Sequence, residues 1–84
     1  MEGKRVIISR DVAANVLHHY RGEGWPGGSF FDALIKTFAL ADDINRLRLA
    51  TGFPEHDAAI SLITGRPDGI DKLREIVWDG EEEE

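Results

Sequence analysis

Residues 29–51 read SFFDALIKTFALADDINRLRLAT, 23 residues without a proline or a glycine. No other stretch of the chain is long enough to set the architecture alone. At 100° per residue, Phe30, Phe31, Leu34, Ile35, Phe38 and Ala41 form one apolar stripe. Leu40, Ile44 and Leu47 form a second, rotated by well over 90° from the first. Two stripes on one helix admit two explanations. The helix bends near Asp42-Asp43, or it runs straight through the middle of the fold and meets different neighbours along its two halves. We take the second as the expectation. Ser29 then caps the start, Asp32 faces the positive helix end, and Gly52 stops it.

Outward from this segment the chain is punctuated clearly. Upstream, Gly22, Gly24, Trp25, Pro26, Gly27 and Gly28 break any helix, and Pro26-Gly27 suits the centre of a type II turn. Before them Ser9 caps a helix to about Tyr20. Val12, Ala13, Val16, Leu17 and Tyr20 share its apolar face, with Asn15 and His18 opposite. Val6-Ile7-Ile8 is an apolar lead-in, either extended or one short strand. Downstream, Pro54 opens a helix to about Thr64, with Ala58, Ala59, Leu62 and Ile63 inward. Arg66-Pro67-Asp68-Gly69 is a tight turn, and a last helix runs from about Asp68 to Trp78. It turns Ile70, Leu73, Ile76 and Val77 to the core and Asp71, Lys72 and Glu75 to solvent. The expected fold is all-α: a compact irregular or orthogonal bundle of about four helices around a long central helix.

Eighty-four residues make one domain, expected over 1–78. Asp79 and Glu81–Glu84 hold five of the sixteen acids, which leaves eleven against ten bases in the body. The excess acidity is therefore in the tail, 79–84, read as a disordered, solvating segment. The near-neutral body lacks the basic excess of a nucleic-acid binder. Cysteine is absent, so disulfides and thiolate chemistry are excluded. No apolar run approaches the roughly 20 residues of a membrane span, and residues 1–5 lack a signal peptide's apolar region.

The sequence presents no catalytic or metal-binding constellation at a recognisable spacing. His18 and His19 are adjacent and diverge by about 100° on a helix, so they do not jointly face one ion. Glu55, His56 and Asp57 fall in a helix's first turn, where acids are favoured by the dipole and a histidine is expected at the surface. Asp42-Asp43 reads as a solvated helix face rather than the facing carboxylates of a hydrolase. Ser9 and Ser29 are occupied as caps, and the glycines around Trp25 lack the Lys-Ser/Thr pair of a phosphate loop. No catalytic residue, cofactor or metal is expected. Arg46, Arg48, Arg66, Lys72 and Arg74 could contact phosphates if they converged on one surface, yet Lys72 and Arg74 diverge by about 160°. The second stripe, Leu40, Ile44 and Leu47, together with Trp25 in the glycine-rich loop, is the expected protein interface.

Several stretches carry a resemblance. Pro26-Gly27-Gly28-Ser29-Phe30-Phe31-Asp32-Ala33-Leu34-Ile35, Ala41-Asp42-Asp43-Ile44-Asn45-Arg46, Leu49-Ala50, Phe53-Pro54-Glu55 and Gly69 to Ile76 resemble short, largely uncharacterised helical proteins of actinobacterial bacteriophages and prophages. The likeness spans roughly Tyr20 to Val77. It implies phage origin and the host bacterial cytoplasm, and it assigns no residue a role. The expectation is thus a non-enzymatic, phage-type accessory protein that binds another protein of host or phage, or a second copy of itself. The alternatives are a small helical DNA-binding regulator and a minor virion or assembly component.

Overall fold

The computed structural model describes residues 6–79, and the expectations for residues 1–5 and 80–84 lie outside that range. Five α-helices follow in order: α1 Arg10–Arg21, α2 Ser29–Leu40, α3 Asp43–Gly52, α4 Pro54–Gly65 and α5 Gly69–Arg74, the last continued by a π-helical turn, Glu75–Asp79. The described residues contain no strand, so Val6-Ile7-Ile8 is an irregular lead-in, with Ile8 against the core.

The long central helix is not there. The chain leaves the helix at Ala41 (φ −78°, ψ 140°) and stays extended at Asp42 (φ −77°, ψ −179°) before α3 begins. Asp42 is the reason. Its Oδ1 accepts the backbone N–H of Asn45 at 2.9 Å, the N-cap bond for which aspartate is among the preferred residues. An aspartate there also sits at the positive end of α3, whereas a continuous helix would give it no such partner. The rotation between the two stripes marks two helices, and Asp42, solvent-exposed like Asp43, is also the cap of α3.

The central helix is α1. It packs against α2, α4, α5 and the terminal turn, and five consecutive residues, Ala13, Ala14, Asn15, Val16 and Leu17, are buried. Two adjacent alanines let neighbours approach closely on more than one side, which is how a 12-residue helix is enclosed. Asn15, expected to face outward, is held inside because its Nδ2 donates to the Trp25 carbonyl at 3.0 Å and so satisfies a loop group. Around α1 gather Leu34, Ile35 and Phe38 from α2, Ala59 and Ile60 from α4, and Leu73 and Val77 from the last segment. On α4 the buried face is His56, Ala59 and Ile60, shifted from the expected stripe.

Two glycines are fixed by close approach. Gly24 has φ +76°, and a Cβ there would stand 2.6 Å from the Ala14 carbonyl oxygen. Gly69 lies where α5 folds back on α4, and a Cβ would strike the Leu62 carbonyl. The type II turn expected at Pro26-Gly27 does not form, since Gly27 has no positive φ and lies instead against the Asn15 side chain. Capping also differs from expectation at one site. Ser9 caps α1 through its Oγ and the Val12 N–H at 3.3 Å, but the N-cap of α2 is Gly28, with Ser29 as the first helical residue.

Arginines fasten the pieces together. Arg46 of α3 donates to Asp57 Oδ1 (2.7 Å) and Ser61 Oγ (3.0 Å) of α4, and its guanidinium lies over Phe38. Arg74 forms a two-pronged pair with Glu23 at 2.8 and 2.7 Å, tying the glycine-rich loop to α5. This pair holds the Glu23 carboxyl below its ordinary range and raises the guanidinium. Arg10 donates to the Val77 carbonyl (2.6 Å) at the negative end of the last helical segment.

Candidate protein-contact surface

The elbow between α2 and α3 leaves an apolar surface uncovered. Leu40 is 86% exposed, Ile44 63% and Leu47 69%. The break at Asp42 explains this, because α3 leans outward and packs chiefly on α4. Its half-buried positions, Arg46, Leu49, Ala50 and Phe53, recur at i, i+3, i+4 and i+7 and define the inward face. Ile44, Leu47, Arg48 and Thr51 occupy the opposite face, and none of α3 is fully buried. The molecule is 23 Å in its shortest dimension, about two helix diameters, so a peripheral helix has one face to bury. Beside the exposed stripe an open groove of about 340 Å³ is walled by Thr37, Leu40, Ala41, Asn45, Arg48 and Leu49.

Trp25 is placed elsewhere. Its Nε1–H donates to Asp11 Oδ1 at 3.1 Å, its ring lies 5.3 Å from the Arg10 guanidinium, and it packs partly buried against the core. It lines none of the elbow groove. The expected four-residue interface therefore divides into Leu40, Ile44 and Leu47 at the elbow and Trp25 bound to α1. Phe30, expected in the core stripe, also reaches solvent: it is 62% exposed and rests edge-on against Phe31.

The histidines separate in the same way. His19 Nδ1 lies 3.0 Å from Asp32 Oδ1, and that contact with Lys36 nearby keeps the Asp32 carboxyl below its usual range. Both line a cleft of about 360 Å³ with His18 and Ser29. No group of three or more metal-ligating side chains converges among the described residues. His56, expected at the surface, is 5% exposed. Its ring stacks on Phe31 at 5.2 Å and 4° and meets Phe53 edge-on at 6.1 Å. Its Nε2 has no hydrogen-bond partner, and burial holds its pKa below the ordinary histidine value. Phe31 and His56 are 25 residues apart, so their stack forms only when α2 packs on α4.

No protein-family model, curated protein or solved structure matches the chain. No described helix is long and apolar enough to cross a membrane.

Proposed function

We propose that this chain works by binding protein through the α2–α3 elbow. One observation carries the reading: Leu40 at the end of α2 and Ile44 and Leu47 on α3 are all exposed, while the inward face of α3 is already satisfied by α4. At these exposures, burying the three side chains would stabilise a complex by about 3–6 kcal/mol from this copy alone, before the cost of association. The alternative of a DNA-binding regulator has less to support it. Arg46, Arg66 and Arg74 each hold a carboxylate at 2.7–2.9 Å and so are already neutralised locally. The stretches that resemble actinobacteriophage proteins support a place among phage or prophage accessory proteins, with the host cytoplasm as the site of action.

The test is residue-specific photo-cross-linking in the host bacterium from position 47, with position 72 on α5 as the control. Adducts of defined mass from 47 and not from 72, abolished by Ile44→Glu in a folded chain, are the expected result. Equal labelling from both positions would defeat the reading.

A further inference from the structure

The outward face of α3 is complementary to itself, and this identifies a partner, given the reading of the elbow as a contact surface. In a heptad frame Ile44 falls at a, Leu47 at d and Thr51 at the next a, while Leu49, at f, points into the body. Isoleucine at a with leucine at d is the pattern that favours two parallel strands. Leu40 lies outside this frame, at the end of α2 before the break at Ala41-Asp42, and is 86% exposed. Flanking the stripe are Asp43 at g and Arg48 at e. Among the described residues Asp43 has no ion pair, and the Arg48 guanidinium bonds the Asn45 side chain alone, at 3.3 Å. In a parallel pair of helices the g residue of one meets the e residue five positions on in the other. That places each Asp43 carboxylate against the partner's Arg48.

We infer that the elbow binds a second copy of this chain, with the two α3 helices parallel about a two-fold axis that runs along them. Ile44 and Leu47 form the seam, and two reciprocal Asp43–Arg48 pairs flank it. The bodies lie on opposite sides of the axis, because Arg46 and Leu49 turn each α4 away from the seam. A short seam of this kind gives a weak dimer, with a dissociation constant on the order of 10–100 µM.

Sedimentation equilibrium of the full chain, with circular dichroism to show that each variant is folded, tests the arrangement. The wild type should dimerise within that range. Asp43→Arg alone and Arg48→Asp alone each bring like charges together across both flanks and should weaken association by about ten-fold or more. An equimolar mixture of these two variants should recover it, since each supplies the charge the other lacks. Leu47→Cys supplies the chain's sole thiol beside its own copy, and should oxidise to a disulfide dimer where a Lys36→Cys control does not. A wild type monomeric at 1 mM overturns the self-pairing. If elbow-specific adducts to a foreign protein persist in that case, the contact reading survives without it. A dimer unaffected by either charge variant, or Leu47→Cys no more readily oxidised than the control, overturns the parallel register.

Discussion

Replacing His56 with phenylalanine should make the protein more stable, and should remove part of its sensitivity to mild acid. His56 is 5% exposed, stacked on Phe31 and edge-on to Phe53, and its buried Nε2 meets no donor or acceptor. A buried polar group left unpaired costs about 1–3 kcal/mol, which a phenyl ring in the same slot avoids. The larger ring gives back part of that through crowding, and the adjoining groove of about 260 Å³ beside Val12 and Pro54 limits the strain. The net gain at pH 7.5 is about 1 kcal/mol, on the order of 4–8 °C in melting temperature for a domain of this size. The pH dependence has a definite sign. Burial lowers the His56 pKa in the folded chain, so the unfolded chain binds a proton more readily. Stability is therefore full above the unfolded value, 6.5, and falls as the pH drops below it towards the folded value. Glu55, the charged neighbour that favours protonation, offsets only a little of this. Thermal melts of wild type and His56→Phe at half-unit steps from pH 7.5 to 5.0 should diverge as the pH falls. Parallel curves, or a variant that melts lower at every pH, would refute the reasoning. His18 and His19 are common to both chains and cancel in the difference.

Three further outcomes follow from the packing. Asp42→Ala removes the cap of α3 and should cost about 1 kcal/mol by urea denaturation, with Asp42→Asn close to wild type. Gly69→Ala drives a methyl group into the Leu62 carbonyl and should cost on the order of 2–3 kcal/mol, among the largest losses available to a one-carbon change here. Leu47→Glu replaces a side chain that is 69% exposed, so its unfolding free energy should stay within about 0.5 kcal/mol of wild type while association is lost. An unfolded Leu47→Glu chain would return that stripe to the core.

What the sequence makes legible, and what it hides, divides along the range of the interactions. Ser9, Pro54 and the Arg66–Gly69 turn act within one helical turn, and each stands where local chemistry puts it. The last segment likewise buries Leu73 and Val77 and exposes Asp71, Lys72 and Glu75, as a 3.6-residue period demands. The errors arise where a residue's partner is distant or where two local readings compete. Asn15 and His56 are polar residues on positions that look outward. The first is buried because a loop ten residues on needs its amide, the second because two phenylalanines from other segments close over it. At residues 41–43 unbroken helix propensity competed with a strong capping residue, and the cap prevailed. That choice also decides the candidate site. In one straight helix, Leu40, Ile44 and Leu47 would have neighbours on every side. In two helices joined at Asp42, the second stripe turns outward with Asp43 and Arg48 at its edges, and the same residues become a surface. The rotation of more than 90° between the stripes was the available sign, because a helix in a domain only about two helix diameters thick has one face to bury.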